Sequence, residues 1–415
     1  MTLGFWSELH PTTRRLLLTR AVRSLAQGAL AADFALYLLA LHWSGVQIGL
    51  VLTGGGLFGA GLSLLVGYTS DRLRRKPLVM IYQVIAFAAG LLALVSSQPG
   101  LLIAGAVLGG LGRGANGAAG PFSPAEQAWL AEVVDPKRRA RVFSLNTAIG
   151  FMGMGVGSLL AILPAFLGGI LPGALAYRPL FALWSLVALL GIWILAGAEE
   201  QYRGRTKVVP DHAARQVRRS ENQILLKMIF TNAFNGLAIG LTGPLISYWF
   251  ALRFGVGPAS IAPLLALTFA VTAFSSVATG WLAEQVGVIK AVVWSRLIGL
   301  LLLIALPLMP SFWLASLVYL LRSVFNRGSA GARQALAVGL VGEERRGEVT
   351  SLNNASFTLP QAIGPSIAGA LLDSGQLTLP YYLAALLQGI YLVLYGRVFR
   401  AYDPNGRAAQ PRTGD

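Results

Sequence analysis

Apolar runs long enough to cross a lipid bilayer recur from one end of this chain to the other, and that recurrence limits the fold more than any other feature. A helical crossing takes about 20 residues. Only 12% of the residues are charged and 55% are hydrophobic, whereas an ordinary globular domain carries about 25% charged residues. Water therefore cannot be the main solvent, and the chain reads as a polytopic helical membrane protein. The first run continues from about Leu16 to Leu41 with no polar mature domain behind it, which argues against a cleaved signal peptide.

The runs predict an all-α membrane protein of twelve transmembrane helices, at 15–41, 46–68, 77–97, 100–121, 142–168, 175–197, 222–252, 258–283, 287–308, 311–339, 348–373 and 378–402. One long polar stretch, "EEQYRGRTKVVPDHAARQVRRSEN", divides them six and six. The expected organisation is an N-terminal bundle (1–198), a cytoplasmic linker (199–221), a C-terminal bundle (222–402) and a cytoplasmic tail (403–415).

The net charge of +16 would suit a nucleic-acid partner if the cations were clustered, but they fall in alternate loops. Arg72, Arg74, Arg75 and Lys76 share a side with Lys137, Arg138, Arg139, Arg141, the 203–219 segment, Arg345 and Arg346. The opposite loops "HWSG", "SSQPG", "MPS" and "SGQL" hold neither Lys nor Arg, with Arg178 and Arg253 as exceptions. Positive loops stay inside, so both termini are expected in the cytoplasm of a bacterial inner-membrane protein, with lipid rather than nucleic acid as its surroundings. The absence of Cys and the presence of only His10, His42 and His212 speak against a thiolate or histidine metal site.

The halves repeat each other. "KRRARVFSLN" (137–146) aligns with "ERRGEVTSLN" (344–353), Gly28 with Gly236, and "GYTSDRLRRK" (67–76) with the weaker "GWLAEQVGVIK" (280–290), where Glu284 replaces Asp71. Many secondary transporters are built from such duplicated halves.

"GYTSDRLRRK" also resembles the signature loop of the major facilitator superfamily, Gly-x-x-x-Asp-Arg-x-Gly-Arg-Lys, through Gly67, Asp71, Arg72, Arg75 and Lys76, with Arg74 at the usual glycine. Arg113-x-x-Asn116-Gly117-Ala118-Ala119 is similar to the fourth-helix motif of the same superfamily, with Asn for Gln. The resemblance implies two pseudo-symmetric six-helix bundles working by alternating access. It also implies a conformational latch made of Gly67, Asp71, Arg72, Arg75 and Lys76, with Glu284 as its weaker repeat. One departure is that proton-coupled drug exporters of the superfamily usually carry Gly-Pro in the fifth helix. Here that helix reads "GFMGMGVGSLLA", and "GPSIAG" occurs in the eleventh.

Polar residues three and four apart share a helix face. Arg20, Arg23 and Gln27 do so in the first span, Arg113 and Asn116 in the fourth, Asn232 and Asn235 in the seventh, and Arg322, Asn326 and Arg327 in the tenth. Charge within a bilayer is costly and normally faces a water-filled cavity or a partner, so these faces are the expected substrate-binding cavity. Arg20 and Arg23 also lie close enough to the surface to snorkel. Arginine keeps its proton; proton coupling needs a carboxylate, and the candidates are Asp33 and Glu126. "SPAEQAWLAEVV" also has capping-box spacing from Ser123 to Glu126, while Asn146 and Asn353 are repeat partners suited to a polar ligand or a helix contact.

"GGLGRGANGAAGP" (109–121) contains Gly-x-Gly-x-x-Gly but lacks the strand–turn–helix setting of a dinucleotide site. Its glycines read as the thinned face of a membrane helix. The function expected is secondary transport of a small molecule, with proton-coupled efflux of an amphipathic or drug-like compound by an antiporter as the leading reading. An arginine-lined path for an organic anion or anionic lipid is the alternative, and a membrane-bound enzyme or sensor is the remote one. No cofactor is implied, and a monomer is expected.

Overall fold

The computed structural model describes residues 6, 8–69, 74–114, 120–135, 138–200, 212–286, 288–328 and 346–399. Its elements are α1 (Pro11–Ala40), α2 (Gly45–Thr69), α3 (Arg75–Val95), α4 (Pro99–Gly109), α5 (Ser123–Val133), α6 (Arg139–Leu160), α7 (Leu163–Leu167), α8 (Arg178–Ala196), α9 (His212–Thr242), α10 (Ile246–Phe254), α11 (Pro258–Val286), α12 (Val288–Ala305), α13 (Phe312–Gly328), α14 (Arg346–Asp373) and α15 (Leu379–Phe399). Among the described residues there is no strand.

Eight passes are long and apolar enough to cross a membrane on their own. The other four are α1, the α4–α5 pair, α13 and α14, and each falls short for a visible reason. Arg20, Arg23, Gln27 and Asp33 interrupt α1, Asn353 and Asn354 interrupt α14, only 17 residues of α13 are described, and the fourth pass is broken. With those four the chain makes the twelve crossings expected. Large apolar side chains such as Trp193, Phe274 and Trp313 point outward, an arrangement suited to lipid and not to water.

The fourth pass corrects the sequence reading of one helix at 100–121. α4 stops at Gly109, Gly110 closes it in the left-handed region, and Gly112, Gly114 and Gly120 also have positive φ. Only glycine adopts that backbone without cost, so these residues make a turn, and the pass resumes at α5. The seventh pass, expected at 222–252, is likewise two helices, α9 and α10, joined at 243–245. α9 begins at His212, inside the stretch read as linker.

Within each half the closest crossing is made by equivalent helices: α1 on α6, and α9 on α14. A Cβ on Gly28 would strike the Met154 backbone, and one on Gly157 the Leu25 carbonyl. The repeat partner Gly236 stands in the same way against the Phe357 carbonyl, followed by Gly240 against that of Gln361. Small residues let helix backbones approach in lipid, where dispersion and packing replace the hydrophobic effect.

The halves meet through α2 on α14 and α6 on α11. The first contact lies at the end of the bundle opposite the chain's N-terminus, here called the far end. Gly45 and Gly49 of α2 face Gly369 and Pro365 of α14 too closely for a side chain. The first turn of α2 is closed by a reciprocal cap, in which Gln47 N–H donates to Ser44 Oγ and Ser44 N–H to Gln47 Oε1.

Candidate functional site

The arginine face of α1 points into the N-terminal half. Arg23 and Glu126 of α5 form a two-pronged pair, Nη2 to Oε2 at 2.6 Å and Nη1 to Oε1, with side chains 7% and 17% exposed. Forked guanidinium–carboxylate pairing is among the strongest polar contacts available. It also replaces the capping box expected at Ser123: Phe122 is the N-cap residue, Ser123 accepts from Gln127 Nε2 at 2.8 Å, and Glu126 reaches across to α1.

One turn earlier, Arg20 is buried, and its Nε and Nη1 have no hydrogen-bond partner. Gly150 of α6 makes room for it; a Cβ there would lie 2.8 Å from Arg20 Nε. Arg20 lines a recess with Thr19, Ser123, Glu126, Gln127 and Asn146. Gln27, one turn further along α1, is buried with Oε1 unpartnered, beside Gly114 and Gly120 of the broken pass.

Asp33 lies deeper in α1, 1% exposed, and neither carboxylate oxygen has a hydrogen-bond partner. It stands one turn before Tyr37, whose ring packs on Tyr177 and Phe181. An isolated buried carboxylate is a costly arrangement.

Arg113 occupies the turn after α4, not a helix face. Its guanidinium folds back onto the end of α4, Nη2 donating to the carbonyls of Ala106, at 3.4 Å, and Val107. Cations complement helix C-termini, where carbonyls lack partners. Gly55 and Gly59 of α2 leave it space; a Cβ on Gly59 would lie 2.6 Å from Arg113 Nη1. Asn116, expected beside it, lies outside the described residues.

In the C-terminal half, Asn232 donates to Asn353 Oδ1 at 2.7 Å and to Ser356 Oγ at 3.0 Å, bridging α9 and α14. Asn353 therefore serves a helix contact, whereas its repeat partner Asn146 faces the recess. Asn235 accepts from Arg296 Nη1 at 2.8 Å, with both residues fully buried and the Arg296 guanidinium 5.4 Å from the centre of the Tyr391 ring. Arg296 was missed in the sequence because no polar residue stands three or four positions from it; Asn235 facing it from α9 is the cue that only packing supplies. Arg322 Nη2 donates to Thr242 Oγ1 at 3.3 Å, where α9 ends, and Asn326 is buried one turn away on α13. The side chain of Arg327 lies outside the described residues.

The signature loop is described only in part. Gly67 lies in the last turns of α2, and Asp71 and Arg72 fall outside the described residues. Arg75 pairs with Glu132 of α5 at 2.5 Å. Lys76 Nζ donates to the Ala196 and Ala198 carbonyls at 2.7 and 2.9 Å, past the end of α8, while the Glu200 carboxylate accepts from the first N–H groups of α3. These contacts fasten the start of α3 to α5 and to the segment that follows α8. Glu284 lies in α11, and its side chain is not described.

The chain is 24% identical over 353 residues to the multidrug resistance protein MdtH of Edwardsiella ictaluri, covering 81% of this chain and 80% of that one. It is 20% identical over 404 residues to an uncharacterized membrane protein of Saccharomyces cerevisiae, covering 88% and 89%. Its fold matches the nucleoside transporter NupG (TM-score 0.72, 10% identity, 94% of this chain and 100% of that one). It also matches a bacterial homolog of the lysosomal transporter Spinster in an inward-facing conformation (TM-score 0.69, 16% identity, 97% and 98%). The sequence profile of the Major Facilitator Superfamily fits residues 16–233 and again 228–414. The chain belongs to that superfamily and is a multi-pass membrane transporter, not an enzyme.

Proposed function

We propose that the protein is a proton-coupled secondary transporter that exports an amphipathic compound by alternating access. The observation that carries this reading is Asp33, buried in α1 with both oxygens unpartnered. An ionised carboxylate there would have neither water nor a counter-charge, so its proton leaves only when the surrounding helices move and admit water. That ties protonation to conformation, as coupling requires. Glu126, committed to Arg23, is a structural partner in this reading. A relative named as a multidrug resistance protein supports export, and a fold neighbour named as a D-xylose-proton symporter supports proton use.

The Lys- and Arg-bearing loops set the end holding the N-terminus toward the cytoplasm of a bacterial inner membrane. The α2–α14 contact then closes the outer side. Arg20, Arg23 and Gln27 on α1 and Arg322 and Asn326 on α13 border the substrate path, the halves divide near 199–221, and the protein works as a monomer in lipid. The test is transport into proteoliposomes under an imposed pH gradient. Accumulation that follows the gradient in the natural protein and ignores it in Asp33→Asn supports the reading; transport indifferent to the gradient in the natural protein overturns it.

A further inference from the structure

We propose that the recess between α1, α5 and α6 receives an anionic group of the transported compound, a carboxylate or a phosphate, on the guanidinium of Arg20. This deepens the transporter reading and rests on it. The recess is lined by Thr19, Arg20, Ser123, Glu126, Gln127 and Asn146, a set that supplies one free cation, one hydroxyl donor and two amide donors.

Charge counting decides the sign of the ligand. Arg20, Arg23 and Glu126 sit together inside the N-terminal half, and Glu126 spends both oxygens on Arg23. Two cations and one anion leave a net positive charge. Its bearer is Arg20, 7% exposed, with Nε and Nη1 buried and without a hydrogen-bond partner. A buried guanidinium in that condition lacks what usually accompanies it, a carboxylate or phosphate that accepts from two of its nitrogens. Snorkelling, the alternative allowed by the sequence, would bring the whole head group to water, and the burial of Nε and Nη1 argues against it. A cationic ligand is disfavoured because the only carboxylate in the recess is neutralised and two arginines stand beside it. The Ser123 hydroxyl and the amides of Gln127 and Asn146 are donors of the kind that complete an oxyanion site, while the Thr19 hydroxyl donates to the Arg15 carbonyl at 2.9 Å.

Gly150 extends the argument. It backs the Arg20 side chain so closely that any Cβ would push the guanidinium away. The residue type on α6 is therefore matched to the place where Arg20 lies.

The experiment uses the full chain purified in an uncharged maltoside detergent. Thermal unfolding is followed with decanoate, decyl phosphate and decyltrimethylammonium, and with acetate and inorganic phosphate. Ligands that bind the folded state raise its melting temperature. The anionic chains are expected to raise it and the cationic chain is not. Arg20→Ala is expected to weaken anion binding at least about tenfold, and Arg20→Lys, which keeps the charge and loses the fork, by about threefold to tenfold. Stabilisation by acetate or phosphate as well identifies a small free anion as sufficient, and stabilisation by the chain-bearing anions alone identifies an amphipathic one; both support the site. Anion binding unchanged in both variants, or stronger binding of the cation, overturns it. Should Arg20→Ala not fold, Arg20→Lys and Gly150→Ala, which displaces the guanidinium and keeps it, decide the question through the same readout. Proton dependence in Asp33→Asn is read separately, so loss of the anion site and loss of coupling are distinguishable.

Discussion

Asp373, the last residue of α14, places its carboxylate on the first turn of α2 in the other half, accepting from Gly45 N–H at 2.6 Å and from Val46 N–H at 2.8 Å. Tyr248 of α10 donates to the same carboxylate at 3.4 Å. Together with the Ser44–Gln47 cap, this occupies the N–H groups that a helix start leaves open. Removing the charge with Asp373→Ala is expected to weaken the far-end contact by about 1–2 kcal/mol, roughly a five- to thirtyfold shift in the open fraction. The chain has no cysteine, so maleimide labelling of a single Thr53→Cys, beside Ser366 of α14, measures it directly. An unchanged labelling rate would show that the carboxylate does not hold this end.

The Arg23–Glu126 pair makes a second prediction. Arg23→Ala leaves a buried carboxylate without its partner and is expected to cost about 3–5 kcal/mol, whereas Arg23→Met with Glu126→Leu removes both charges and costs much less. Thermal unfolding of the two variants in detergent should separate them clearly. Equal losses would mean that the pair matters for packing alone.

Glycine positions give a third. Gly28→Ala sets a methyl group against the Met154 backbone, a clash expected to destabilise by about 1–3 kcal/mol. Gly100→Ala meets open space and is expected to leave the melting temperature unchanged or slightly higher, since alanine favours the helix. The same loss in both variants would remove the backbone-contact explanation.

Asp33→Asn keeps the size of the side chain and cannot exchange a proton. The expected outcome is a folded protein whose substrate counterflow persists while gradient-driven accumulation falls about tenfold or more. Counterflow and accumulation lost together would place Asp33 in substrate binding instead.

The twelve crossings were legible because hydrophobic length is a property of the sequence alone, and the glycine equivalence of Gly28 and Gly236 because a close backbone contact tolerates one residue type. The break after Gly109 was not. Glycine thins a packed helix and also enters the left-handed region, and "GGLGRGANGAAGP" satisfies both descriptions until the backbone is seen. Ser123 and Pro124 did mark a new helix start, but the spacing to Glu126 suggested a local cap when its partner was 103 residues away. Arg296 and Asp373 were hidden for a related reason: each gains meaning from a helix remote in sequence, Asn235 for one and Gly45 for the other.

The interrupted fourth pass has a mechanical result. The helical ladder of α4 ends at Gly109, where the left-handed Gly110 follows, and α5 starts its own at Ser123, so a tilt of one need not turn the other. Arg113 belongs to the α4 side, held on its terminal carbonyls. Glu126 belongs to the α5 side, held by α1. Each part of the crossing is gripped by a different arginine, Arg113 on the α4 side and Arg23 on the α5 side, so the break at the glycines separates two anchorages within one membrane pass.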